Sequence, residues 1–431
     1  MSAIRYSEPF LLSDQGSDRA TAYIVGNKIV TLDGKTHVFW SDAVARTMAR
    51  TYDHATDAWG ESVFIGDGTD NHNNPSVTAD AQGRLRIAYG PHGPWDQADK
   101  VMTWPSGRFR YAVADEPNSL KGLNENEGSA GLGYNATYAS LLHTPAGRDC
   151  IVYRGGEAPY QTLFQRQRDL GGWENPVFLM RQNIEPQYTF YGANMTCDAK
   201  GVLYVGAGFY ALGREGSLGC AVLRSTDGGD SWTSIGGQPV DLPIEYNARC
   251  AIPHGPAEAD PRLLGLGIDD QGCLWATTVT TRPACRDGAI LSCWDGSRWE
   301  SFDLNRHMPD GRQIFDAPMC VDTRGRVHLF VSAYDTSQVS NDDSDGFGHE
   351  SLLVYHLVTT DRGKSFVCNP IGEPAPGTPN WLPAISQQGP YHPVENPMLL
   401  YTCGTKNPKR EQEGCRSTHL TKVFCVRVEM D

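Results

Sequence analysis

Four side chains of this sequence could together move a proton beside a fixed positive charge. His72 and His92 bracket one hairpin pattern, and Tyr138 and Arg154 bracket the next. The run from Ser76 to Asp80, a turn through Gly83, and the run from Arg84 to Tyr89 read as strand, tight turn, strand. His72 lies just before the first strand and His92 just after the second, so both are expected at the open mouth of the hairpin. Tyr138 and Arg154 take the same places around the turn Pro145-Ala146-Gly147. Imidazole and phenol can exchange protons with a bound molecule, and a guanidinium neutralises a carboxylate and stabilises charge that develops on it.

This set suits β-elimination on a uronic acid. Arg154 would neutralise the C6 carboxylate, which acidifies the C5 proton. One of His72 and Tyr138 would remove that proton, and one would return a proton to the departing O4 oxygen. The residues leave open which does which. The reaction calls for no metal or organic cofactor, and no spacing nominates ligands for a structural Ca²⁺ or Zn²⁺. Each residue also has an ordinary reading: His72 as a turn cap beside Asn73-Asn74-Pro75, His92 as a loop residue, Tyr138 as a strand aromatic, Arg154 as an ion pair with Glu157. Recurrence at equivalent hairpin ends favours a site. The same mouth rule adds Asn73 and Asn74 on the first hairpin, and Tyr191, Asn194 and Tyr210 on the third, as substrate contacts, with Trp95 as a further rim aromatic. His254, His328, His356 and His392 lack this coincidence and are expected to be structural.

Such a site needs a scaffold that repeats one hairpin mouth around a rim. A turn marker followed by an alternating apolar strand recurs at Asp33-Gly34, Asp80 to Gly83, Pro145 to Gly147, Asp198 to Gly201, Asp270 to Gly272 and Asp322 to Gly325. The marker glycines are 49, 64, 54, 71 and 53 residues apart, and a seventh strand pair is expected around Pro397 to Tyr401. Each interval accommodates a four-stranded antiparallel blade with one variable loop. The Asp carboxylate caps the turn, and Gly accepts the positive φ. Ser225 to Trp232 and Thr359 to Phe366 both fit S/T-x-D-x-G-x-x-W/F, the Asp-box turn between outer strands of propeller blades, and are expected to be structural. The expected fold is an all-β, seven-bladed propeller forming a single domain over residues 1–431.

Composition agrees, with 46 Gly and 27 Pro in 431 residues pointing to many short strands and turns. The net charge of −14 disfavours nucleic acid or an anionic membrane as a partner, and it requires any anion-binding cleft to be locally basic. No segment approaches the ~18 apolar residues of a membrane-spanning helix. The start, Met1 to Pro9, lacks an apolar secretory core, so the protein is expected to be cytoplasmic or to have lost a leader; the substrate class favours export. Twelve cysteines are scattered without a C-x-x-C pair and are expected to be mostly unpaired. Nothing in the sequence reports the oligomeric state.

The segment Asn71-His72-Asn73-Asn74-Pro75, then Asp80 to Leu85, then Ala88-Tyr89-Gly90-Pro91-His92-Gly93, resembles the BNR-4-type propellers found among polysaccharide lyases. Thr137-Tyr138, Gly147 and Val152-Tyr153-Arg154-Gly155 match the next stretch of that pattern, although Ala139 stands where the family usually has proline. The resemblance covers roughly residues 60–235. It implies a seven-bladed lyase like the ulvan lyases, which cleave a rhamnosyl-(1→4)-glucuronate bond, or like propellers that remove rhamnose from glucuronate on arabinogalactan side chains. It also implies that His72 and Tyr138 are the acid and base, that Arg154 neutralises the carboxylate, and that His92 assists. The partner would be a uronate-containing polysaccharide. Two other readings compete. A sialidase-like glycoside hydrolase is invited by the Asp-boxes, but the Arg-Ile-Pro signature and a pair of opposed carboxylates are missing. A non-catalytic carbohydrate-binding propeller would need only the rim aromatics Trp95, Tyr191 and Tyr210.

Overall fold

The chain folds into seven antiparallel blades arranged around one axis, as the turn markers predict. The computed structural model describes residues 4–68, 71–72, 75–90, 109–124, 131–133, 136–155, 161–169, 171–182, 193–210, 217–255, 261–280, 288–339, 347–373, 377–407 and 420–430, together with the backbone alone of 95–96, 101–102 and 188–189; at 210 and 217 it likewise describes only the backbone.

Blade 1 holds Ile29–Leu32, Lys35–Ser41 and Arg46–Asp53, with Ala58–Trp59 and Val63–Asp67 on its outer edge. Blade 2 holds Ser76–Ala79, Arg84–Tyr89 and Arg110–Pro117. Blade 3 runs Thr137–His143, Asp149–Gly155, Gln161–Arg166 and Val177–Met180. Blade 4 runs Asn194–Cys197, Leu203–Tyr210, Ser217–Ser225 and Thr233–Ser234. Blade 5 is Pro261–Ile268, Leu274–Thr280, Ala289–Trp294 and Trp299–Asp303. Blade 6 places Arg312–Asp316 and Met319–Val321 on Val327–Asp335, followed by Leu353–Thr359 and Val367–Ile371. Blade 7 combines Asn380–Ile385, Met398–Cys403 and Thr421–Met430 with the N-terminal strands Ile4–Tyr6 and Phe10–Gly16, so both ends of the chain share one sheet. That shared sheet closes the ring. Among the described residues helix is nearly absent; Asn305–His307 forms a short 3₁₀ turn.

The marker turns join the first and second strands of blades 1 to 6. In blade 2, Asp80 Oδ1 accepts the amides of Gln82 and Arg84 at 3.0 and 2.9 Å, and Gly83 has φ of +74°. Blade 5 departs by one residue from the expected Asp270. The cap is Asp269, whose Oδ1 accepts from Gln271 and Cys273 while its carbonyl accepts from Gly272. In blade 3, Thr144 takes the aspartate's place, its carbonyl accepting from Gly147 at 2.9 Å. The two S/T-x-D-x-G segments connect the third and fourth strands of blades 4 and 6. Asp227 Oδ1 and Asp361 Oδ1 accept the amides of Ser231 and Ser365, each at 2.9 Å.

Adjacent blades cover each other's faces, so the inner strands lose the alternation of a one-sided sheet. Thr137–His143, Asp149–Gly155 and Leu274–Thr280 are buried at every residue, whereas outer Trp299–Asp303 is not. Backbone amides stitch neighbouring inner strands: Leu141 donates to Ser76 Oγ at 2.8 Å, and Met195 donates to Ser140 Oγ at 3.3 Å. Between blades 2 and 3, Asp149 is fully buried and accepts from Arg86 at 2.7 Å, from Tyr111, and from His143 at 2.6 Å. The ten described cysteines are free thiols, eight of them buried; Cys285 and Cys415 lie outside the described residues.

Three of the four histidines expected to be structural are buried, and the fourth, His254, is partly buried, with Nδ1 against the Gly255 carbonyl at 2.5 Å. His328 and His356 are completely buried and stack at 5.2 Å, and His392 is buried as well. Asp322 accepts from His328 Nε2 at 3.1 Å, so His328 Nδ1 must accept from His356 Nε2 at 3.0 Å. His356 Nδ1 in turn accepts the Tyr6 hydroxyl at 2.9 Å. One arrangement of neutral tautomers satisfies this entire relay, which ties blade 6 to the N-terminal closing strand. Burial lowers the affinity of both rings for a second proton, and it draws His37 and His392 down to about 4. Once unfolded, these rings protonate near the ordinary histidine value of about 6.5, so below that pH the unfolded chain binds more protons than the folded one. Stability is therefore present above about pH 6.5 and is lost as pH falls toward about 4. The expected loss is about 1.4 kcal/mol per pH unit for each ring that stays neutral. Chemical unfolding at about pH 7 and about pH 5 should differ by a few kcal/mol; equal stabilities would contradict this account.

Candidate active site

Tyr138 is the second residue of the inner strand of blade 3, and its backbone is left-handed, with φ of +59°. A bulky side chain rarely holds that conformation unless its surroundings enforce it. Here the ladder with Asp149–Gly155 slips between Thr137 and Ser140, forming a bulge that re-aims the tyrosine. Similar slips occur near the start of the inner strands of blades 5, 6 and 7, at Leu263/Gly265, Ile314/Asp316 and Trp381/Ala384. The bulge is thus a feature of the scaffold that blade 3 uses to orient a phenol.

Arg154 pairs directly with Thr137 across the ladder, and its Cζ lies 4.7 Å from the centroid of the Tyr138 ring. His72, just before the inner strand of blade 2, has its ring 6.3 Å from that of Tyr138. Three of the four residues expected to carry the chemistry are therefore brought together across two blades. They are withdrawn from solvent: His72 is 4%, Tyr138 1% and Arg154 6% exposed. Low local polarity strengthens every charge in such a place.

Two further residues belong to the cluster. Tyr23 stacks on His72 at 5.5 Å and lies 4.6 Å from the ring of Tyr138; it too is left-handed, with φ of +58°. Arg19 Nη1 lies 2.5 Å from His72 Nε2 and also donates to the Tyr23 hydroxyl. Both come from residues 17–28, the segment that leaves the closing strand Phe10–Gly16 and enters blade 1. Buried Asp18 holds this segment in place, accepting from Asn71 Nδ2 at 2.7 Å and from the Asn407 amide at 3.1 Å. Lys28, fully buried, donates to the Tyr23 and Gly26 carbonyls, and burial draws its pKa down to about 7. Arg19 and Tyr23 follow no turn marker, so hairpin reasoning missed them. Applying the mouth rule to the residues preceding Ile29 would have pointed to this segment.

Asn194 opens the inner strand of blade 4 and is buried; its Nδ2 has no hydrogen-bond partner among the described residues. The Met195–Ser140 bond sets it beside blade 3. His92, Asn73, Asn74 and Tyr191 lie outside the described residues. For Trp95 and Tyr210 only the backbone is described: Trp95 pairs with Met102 in a two-stranded ribbon, and Tyr210 ends the second strand of blade 4 opposite Tyr188. Among the described residues, no group of three or more His, Cys, Asp or Glu is gathered to hold a metal, and no helix is long and apolar enough to cross a membrane.

The acidic chain thus concentrates cations at one place, with two guanidiniums flanking an imidazole and two phenols. Fold and site together define a β-propeller with a buried cluster of two guanidiniums, one imidazole and two phenols. The family model for BNR repeat-containing family members matches residues 35–303, and the chain belongs to that family. No curated protein matches the chain. Among solved structures it is similar to a PL25 ulvan lyase, a polysaccharide lyase solved bound to -[GlcA(1-4)Rha3S]-, with 13% identity, a TM-score of 0.68, and 99% of this chain and 96% of that one covered. It is also similar to the polysaccharide lyase Uly1, with 10% identity, a TM-score of 0.54, and 98% and 99% covered. At such identities the likeness establishes the fold.

Proposed function

We propose that this protein is a polysaccharide lyase that cleaves a 4-O-linked glucuronate bond, with rhamnose as the neighbouring sugar, by β-elimination. The observation that carries this reading is Tyr138, held between the Arg154 guanidinium at 4.7 Å and the His72 ring at 6.3 Å. Elimination needs a cation for the carboxylate and two groups that exchange protons with C5 and O4, and this cluster has all three. The similarity to lyases of the same architecture supports the reading. His92, Asn73, Asn74, Trp95, Tyr191, Asn194 and Tyr210 would orient the sugar chain along the rim. With a net charge of −14, the protein suits a lightly sulfated polymer, such as arabinogalactan side chains bearing rhamnosyl glucuronate, better than a heavily sulfated one. The test is a panel of uronate glycans followed by ultraviolet absorbance. The expected product is a C4=C5 unsaturated uronate. Reducing sugar released without that chromophore would mean hydrolysis and would sink the reading.

A further inference from the structure

We propose that Arg19 is a positioning residue that holds His72 as a neutral imidazole with its hydrogen on Nδ1, which makes His72 the proton acceptor of the site. A guanidinium carries donors and no lone pair. Arg19 Nη1 lies 2.5 Å from His72 Nε2, so Nε2 must accept. A neutral ring that accepts at Nε2 carries its hydrogen on Nδ1, and an imidazolium would set N–H against N–H. The guanidinium is itself well placed for this role: its Cζ lies 4.8 Å from the Phe347 ring and 5.6 Å from the Tyr23 ring.

The surrounding charges act in the same sense. Among the described residues, His72 faces Arg19, Tyr23 and Tyr138, with Arg154 beyond the Tyr138 ring and Lys28 bonded to the Tyr23 carbonyl. The nearby carboxylate, Asp18, is engaged by Asn71 and Asn407. Among the described residues, the cationic neighbourhood disfavours a positive charge on the ring.

The catalytic consequence rests on the elimination reading; the tautomer does not. On substrate binding, with Arg154 neutralising the carboxylate, the Arg19–His72 bond opens and His72 Nε2 takes the C5 proton. The C5–H electron pair becomes the C4=C5 double bond, the C4–O4 bond breaks, and O4 takes the phenolic proton of Tyr138. The imidazolium then returns a proton to the Tyr138 phenolate, directly or through water, and the balance closes.

Nitrogen-15 NMR of the His72 ring in the full chain provides the test. The wild-type protein is expected to show the neutral Nδ1–H tautomer at neutral pH. In Arg19→Gln the titration midpoint should rise by about one pH unit, a tenfold gain in proton affinity, and Arg19→Lys should restore most of the wild-type value. In the active enzyme, the acid limb of the kcat/KM profile should move with it. A wild-type Nε2–H tautomer, or an unmoved midpoint in Arg19→Gln, overturns the proposal. The tautomer is read on the wild-type protein, so a poorly folding variant does not spoil the test. If the ring behaves as expected while no glycan yields an unsaturated uronate, the elimination reading fails and the assignment of the ring stands. Unsaturated product from a protein with the Nε2–H ring overturns this inference alone.

Discussion

Tyr138→Phe is expected to slow formation of unsaturated uronate by about 10²- to 10⁴-fold, the usual worth of a positioned proton donor. The substitution removes one oxygen and keeps the ring. Contacts with Tyr23 at 4.6 Å and with the Arg154 guanidinium at 4.7 Å therefore survive, and the bulge that forces φ to +59° is unchanged. Loss of one hydroxyl affects stability by only about 1 kcal/mol, so the melting midpoint should move by a few degrees at most. The loss should appear in kcat, because the hydroxyl acts on O4 as the bond breaks, with KM changed far less. Retention of more than about a tenth of the wild-type rate would remove Tyr138 from the chemistry.

The second large effect concerns the joint between the two blades that carry the site. Asp149→Ala is expected to cost about 3 kcal/mol or more, the scale for breaking a buried ion pair from one side. The deleted carboxylate is fully buried and serves Arg86, Tyr111 and His143 together. Arg86 keeps its 2.9 Å contact with Asp80, which places the expected cost at the lower end of the range for stranded charges. Asp149 begins the strand that ends at Arg154 and Gly155, while Arg86 sits on the strand paired with Ser76–Ala79, just after His72. Denaturant unfolding measures the effect, and a loss below about 1 kcal/mol would mean that apolar packing alone holds blades 2 and 3 in register.

The blade repeat was legible because its signals are local. An Asp two to four residues from the amides it caps, followed by a Gly at positive φ, identifies the same turn at Asp80, Asp198, Asp269 and Asp322, and these four turns, the Asp33-Gly34 hairpin, the Thr144 to Gly147 turn and one further strand pair set the blade count. Where turn chemistry varied, the reading slipped: Asp269 rather than Asp270 caps blade 5, and Thr144 replaces aspartate in blade 3. His72, Tyr138 and Arg154 were recognisable for the same local reason, since each lies at the mouth of a hairpin whose turn is marked.

The sequence by itself determined the all-β repeat and placed His72, Tyr138 and Arg154 at the mouths of marked hairpins, because strand parity and turn type depend on residues close together in the chain. Only the tertiary structure decided that Arg19 and Tyr23 join them. Their approach to His72 requires Phe10–Gly16 to pair with Thr421–Met430 and Asp18 to be bonded to Asn71 and Asn407, contacts that span some 50 to 400 positions. The left-handed turn at Tyr138 was likewise decided by a slipped ladder between two strands. Long-range contacts of this kind leave no periodic trace in a sequence, because closing the ring, and no local preference, sets which side chains meet.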